Sequence, residues 1–215
     1  MKLVKLAPTI LLVGLHFPAL ADEYQDVISK AFPSYRILGP SEIIRLAEDD
    51  RRQEIYEQVK NHPGLVVGNF NSDKFADFAA IIRGSIRKTR PADPPSRRPA
   101  MDYYDGYLVV CLGRVQGGYE CKKMQSDPMR IFVPNDSFLV KVSPREQHCT
   151  GLRKFRPPKP KIDSNLGYDP DADPGTPSVN IQIRTDAIGL FYTSGGDVIY
   201  IYQPNGMYLE CDLFG

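Results

Sequence analysis

Four cysteines are the side chains of this 215-residue chain most able to form new covalent bonds: Cys111, Cys121, Cys149 and Cys211. An even number without a C-x-x-C spacing reads as two disulfides, with three possible pairings. Residues 107–115 and 118–124 read as strands around a turn at Gln116-Gly117. A three-residue turn from Val115 to Gly117 sets Cys111 opposite Cys121 on one face, within disulfide reach. Cys149 is then left for Cys211, which closes a long loop. A zinc site is the alternative, because His148 abuts Cys149, but it lacks the paired spacing of zinc ligands.

Other reactive groups are sparse. His62 lies in a helix-stop turn and His148 beside a cysteine. Ser194, in Thr193-Ser194-Gly195-Gly196-Asp197, occupies a hairpin turn rather than the strand-to-helix elbow that activates a serine. No H-E-x-x-H and no phosphate-cradling glycine loop is present. Carboxylates are common, yet no spacing singles out a glycosidase pair. Asp169, Asp171 and Asp173 form a D-x-D-x-D run stiffened by Pro170 and Pro174. It reads as a solvated loop, a weak calcium loop, or an acidic lure for a basic cleft. The expectation is a protein that is not an enzyme.

The N-terminus carries a leader. Lys2 and Lys5 precede an apolar run at residues 7–17, and Pro18-Ala19-Leu20-Ala21 gives the small-x-small pattern of a cleavage site. The run is shorter than the ~20 residues that span a bilayer. Residues 1–21 are therefore expected to be a signal peptide and residues 22–215 a single periplasmic or secreted α+β domain. Losing two lysines and no acids leaves 25 basic against 26 acidic side chains, a net charge of −1. That balance, with no basic helix, gives no support for nucleic-acid binding.

Hydropathy patterning places the elements. Residues 22–32 form an amphipathic helix with Tyr24, Val27, Ile28 and Ala31 at helical spacing, ended by Pro33. A short strand is expected at 35–38. A second helix begins at Gly39-Pro40-Ser41-Glu42 and stops at Asn61-His62-Pro63-Gly64, burying Ile44, Ala47, Ile55 and Val59 and pairing Glu48 with Arg52 on its wet side. Strands follow at 65–68, 75–83, 107–115, 118–124 and 138–142. A C-terminal meander occupies 187–193, 198–203 and 207–214, with turns at Ser194-Gly195-Gly196-Asp197 and Pro204-Asn205-Gly206. Ile199 and Ile201 face one side, Val198, Tyr200 and Tyr202 the other, so that strand is central. The fold class is α+β, an antiparallel sheet with N-terminal helices packed on one face. Residues 85–100 and 153–178, rich in proline and charge, are expected to be long inserted loops that contact a partner. Their candidate anchors are Arg87, Lys88, Arg90, Arg97, Arg98, Asp169, Asp171 and Asp173.

Between residues 64 and 83 the chain reads GLVVGNFNSDKFADFAAIIR. This stretch resembles the FG-GAP or VCBS-type repeat, whose loop runs D-x-D/N-x-D-G-x-x-D between two strands, as in integrin α-chain propellers. Only one copy is present, so a propeller is not expected. Single copies are similar to those of small exported bacterial proteins with a leading Phe-Pro-x-Tyr segment, here Phe32-Pro33-Ser34-Tyr35, and a tyrosine-rich final strand. The resemblance implies a calcium loop with Asn69, Asn71, Asp73 and Asp77 as ligands. Asn69 stands where the family has aspartate, and Lys74 where it has a glycine suited to φ > 0. The alternative is a metal-free turn in which these side chains hold local backbone N–H groups.

Export, disulfides, charged loops and the missing catalytic constellation point to a binding protein whose partner is another protein. Its specific form is a periplasmic inhibitor of the immunity type, neutralising a cell-envelope toxin such as a type VI secretion effector. The alternatives are a calcium-binding envelope module and an envelope hydrolase. No resident cofactor is expected beyond that possible calcium.

Overall fold

Six consecutive residues, Asp77 to Ile82, are buried, so this apolar run must be covered on both faces. The computed structural model describes residues 18–43, 52–92, 99–158, 178–192 and 196–213. Helix α1 (Pro18–Ala31), strand β1 (Tyr35–Ile37), a 3-10 turn at Pro40–Glu42 and helix α2 (Gln53–Val59) come first. Then follow β2 (Leu65–Gly68), β3 (Asp77–Arg90), β4 (Met101–Gly113), β5 (Tyr119–Lys123) and β6 (Met129–Phe132). The chain continues with β7 (Ser137–Val142), β8 (Arg145–Cys149), β9 (Gly151–Phe155) and β10 (Val179–Ile183). The final strands are β11 (Ala187–Tyr192), β12 (Val198–Tyr202) and β13 (Tyr208–Asp212).

These strands form two large antiparallel sheets and a ribbon. In the first sheet β3 and β4 are central, β1 and β2 share the outer edge of β3, and β5 and β6 share that of β4. The second runs β7-β11-β12-β13-β9, and β8 pairs with β10 as the ribbon.

Period-2 alternation decides what each face meets. Ala79, Ile81, Leu108 and Val110 share an interior with Phe138, Ile188, Leu190 and Phe155 of the second sheet. The opposite face of the first sheet, with Phe78, Ile82 and Val109, lies under Tyr24 and Ile28 of α1. Tyr24 and Phe78 hold their rings 4.6 Å apart. Beyond the second sheet, Ile199 and Ile201 pack with Ile183 and Cys149 of the ribbon. The layers therefore read helix, sheet, sheet, ribbon.

Both disulfides form as the spacing indicated. Cys111 and Cys121 are register partners across β4 and β5, and Cys149 joins Cys211 from ribbon to sheet. The meander β11-β12-β13 is present with β12 in the middle of its sheet. Mostly antiparallel sheet with two helices is the observed class, but those helices do not share a face. α1 covers the outside of the first sheet, whereas Tyr56 of α2 meets Phe138 of β7 edge-on at 5.4 Å, within the inner core.

Several expectations change. Residues 85–90 are not loop but the far end of β3, with Arg87–Arg90 paired to Met101–Tyr104 of β4. Proline enters only at Pro91, so every residue from Ser85 to Arg90 keeps its N–H for a ladder. Arg153 to Phe155, placed in the second loop, belong to β9 and pair with β13. Where it is described, the second helix covers Gln53–Val59 alone, and Ile44, Ala47 and Glu48 lie outside the described residues. Arg52 does not sit on a wet face: its Nε lies 3.0 Å from Asp197 Oδ2.

Candidate functional site

Asn69, Asn71, Asp73 and Asp77 do converge, in the turn between β2 and β3. Asp77 opens β3 and is 0% exposed. Its Oδ2 accepts the N–H of Phe70 at 2.8 Å and of Asn71 at 3.3 Å, and its Oδ1 accepts the N–H of Gly113 on β4 at 2.9 Å. Burial pushes the Asp77 carboxyl above the usual range, against the pull of the Gly113 and Phe70 N–H groups. Asp73 Oδ1 accepts the Phe75 N–H at 2.7 Å, Asn71 Oδ1 accepts the Asp73 N–H at 3.1 Å, and Asn69 Nδ2 donates to the Asp73 carbonyl. Such Asx turns are how short polar side chains hold a turn without an ion.

The left-handed residue of this turn is Ser72, at φ 68°, not Lys74. Lys74 therefore meets no backbone conflict. A residue missed from the sequence completes the arrangement: Asp186, just before β11, accepts the Asn69 N–H at 3.0 Å, while Thr185 Oγ donates to the Phe70 carbonyl at 3.2 Å. The turn thus ties the first sheet to the second. Among the described residues no cluster of three or more His, Cys, Asp or Glu is arranged to hold a metal ion.

Of the partner-contact candidates, Arg87, Lys88 and Arg90 lie on the far end of β3. Arg97, Arg98, Asp169, Asp171 and Asp173 lie outside the described residues. Strands β3, β4 and β6 extend here as an arm past the bulge between Arg83 and Arg87. Gly106 marks its root: a Cβ there would sit 2.5 Å from the Ile82 carbonyl, so only glycine lets the strands approach. Lys88 Nζ lies 2.5 Å from Asp105, and Arg87 Nε 3.4 Å from Asp102.

A cavity of about 500 Å³ opens between the sheets, with Met124 and Phe155 on its apolar wall and Arg153, Tyr200, Glu210 and Asp212 as its polar one. Arg153 reaches Glu210 at 3.3 Å and Asp212 at 3.8 Å. Burial raises the Tyr200 hydroxyl well above its ordinary range, with the Glu210 charge adding to it. Among the described residues no histidine lines this cavity. His148 Nδ1 instead lies 2.8 Å from Asn180 Oδ1 across the ribbon, and His62 caps the turn after α2. Ser194 lies outside the described residues. No helix among the described residues is long and apolar enough to cross a membrane.

No family model matches the chain, and no curated protein or solved structure shows significant similarity to it.

Proposed function

We propose that this is an exported protein-binding module of the immunity type, which neutralises a toxin directed at the cell envelope. The observation that carries the reading is the arm of β3, β4 and β6, which sets Arg87, Lys88 and Arg90 on a rigid sheet away from the core. Binding residues held on a scaffold need little ordering on contact. Both cysteine pairs are oxidised, which fits a compartment outside the cytoplasm, taken here as the periplasm. The test is co-expression in the periplasm with the product of the reading frame adjacent to its gene. Binding and neutralisation of that product are expected; a neighbour neither bound nor neutralised removes the toxin assignment.

A calcium-binding envelope module is the second reading. It is favoured by the convergence of Asn69, Asn71, Asp73 and Asp77 in one turn between antiparallel strands, the strand-loop-strand arrangement of the FG-GAP-like motif.

A further inference from the structure

One face of the arm carries a row of stacked cations and rings. Arg90 lies over the Phe132 ring at 5.3 Å, Phe132 and Tyr103 are 5.9 Å apart, and Arg130 lies over Tyr103 at 5.5 Å. The order along the row is therefore Arg90, Phe132, Tyr103, Arg130. Register explains it: Tyr103 stands opposite both Lys88 and Phe132, so β3, β4 and β6 place these side chains on one face. Met101, opposite Arg90, has its sulfur 3.4 Å from that guanidinium.

The charges on this arm are unevenly matched. Asp105 holds Lys88 and Asp102 holds Arg87. Among the described residues neither Arg90 nor Arg130 has a carboxylate within ion-pair distance; Arg90 Nε is buried without a hydrogen-bond partner, so its Nη groups are the ones that can meet an anion. Stacking on an aromatic ring fixes a guanidinium's plane while leaving its N–H fork open to an anion. Exposed apolar side chains lie along the arm: Ile86 (73% exposed) on β3, Met101 (39%) on β4 and Val133 (40%) just after β6 are three of the five large ones among the described residues.

Resting on the protein-binding reading above, we infer that this face docks an acidic protein surface, with Arg90 and Arg130 each receiving a partner carboxylate and Met101 entering an apolar contact beside Arg90. Arginine and aromatic side chains at the centre of a contact are where binding energy concentrates. A nucleic acid fits less well, because Asp105, on the same face as Tyr103, would face its phosphates and the aliphatic groups would lack a counterpart. A second copy of this chain fits less well too, because it would bring the same unpaired cations together.

Isotope-labelled full-length chain is titrated, with backbone amide shifts recorded, against three probes. These are a synthetic peptide alternating glutamate and valine, its glutamine-for-glutamate analogue, and single-stranded oligothymidylate. The glutamate peptide is expected to shift residues 86–90, 101–105 and 129–133, more weakly as salt rises, and to bind better than either other probe. R90Q/R130Q should weaken it about tenfold, and R90K/R130K by less, at unchanged melting temperature. Tighter binding of the oligothymidylate, self-association through the arm, shifts elsewhere, or indifference to both double variants would each overturn the inference. The adjacent gene product separates the two proposals. If it is neutralised equally by R90Q/R130Q, the arm is wrong and the toxin reading stands. If the peptide docks on the arm while that product is not bound, the arm stands and the toxin reading falls.

Discussion

Arg52 and Asp197 lie 145 residues apart in the chain and 3.0 Å apart in space. Asp197 is 1% exposed. Its second oxygen accepts the Tyr192 N–H at 3.0 Å, and its carbonyl accepts the Leu213 N–H at 3.0 Å. One aspartate thus fastens the start of α2, the end of β11 and the end of β13.

Asp197→Ala should therefore destabilise the protein by about 2–4 kcal/mol, because it strips Arg52 of this counter-charge and leaves the Tyr192 N–H without its acceptor. Urea unfolding at neutral pH measures it. A loss below about 0.5 kcal/mol would place this pair with the exposed ones that contribute little.

Glu42 makes a pH-dependent contribution. Burial disfavours its charge, but Arg36 at 2.5 and 2.7 Å, the Gly39 N–H at 3.1 Å and Arg83 at 2.7 Å outweigh that and hold its pKa below the ordinary glutamate value. A lowered folded pKa means the unfolded chain binds more protons in that window, so stability rises with pH there. The contribution is complete above the ordinary value of about 4.3 and is lost as pH falls through the folded one. The stability gap between the natural chain and Glu42→Gln should be widest at neutral pH and narrow in acid. A gap independent of pH would contradict the ion-pair account.

The fold was legible where local signals acted alone. Asn205-Gly206 and the alternation of Ile199, Tyr200, Ile201 and Tyr202 define the hairpin and its two covered faces without outside help. The Cys111–Cys121 register needed only a turn length. What stayed hidden depends on distant partners. Arg145–Cys149 and Val179–Ile183 are polar enough to pass for loop, and become strands because they pair with each other and cover Ile199 and Ile201. Arg52 could be matched to Glu48 by helical spacing, but the fold offered it a buried aspartate instead. At the candidate site, convergence of the Asn and Asp residues was readable from spacing, whereas Asp186 was not, because nothing local links it to Asn69. The stacked row on the arm was hidden for the same reason, since Phe132 and Arg130 sit on a strand the pattern does not announce.

The 69–77 turn should behave as a self-sufficient cap. With Asp77 oxygens occupied by three N–H groups and those of Asp73 by two, an incoming ion must displace hydrogen bonds already made. The expected result is no rise in melting temperature between chelated protein and protein in millimolar calcium. A rise that Asp73→Asn abolishes would make the calcium module the better reading.

The two disulfides should differ in weight. Cys149–Cys211 spans 62 residues and Cys111–Cys121 spans 10. On chain-entropy grounds their removal costs about 4 and about 3 kcal/mol respectively. Cys149→Ala/Cys211→Ala should thus lower the unfolding midpoint more than Cys111→Ala/Cys121→Ala. The reverse order in matched chemical unfolding would show that loop length does not govern their effect.

Neither of those bonds bridges the two large sheets. One sits within the first sheet beneath α1, and the other clips the ribbon to the second. The central interface is held without any covalent tie, by Ile81, Leu108, Phe138, Ile188 and their neighbours. That interface holds no thiol of its own, so reduction reaches it only through the stability of the whole domain, by loosening the coverings on either side.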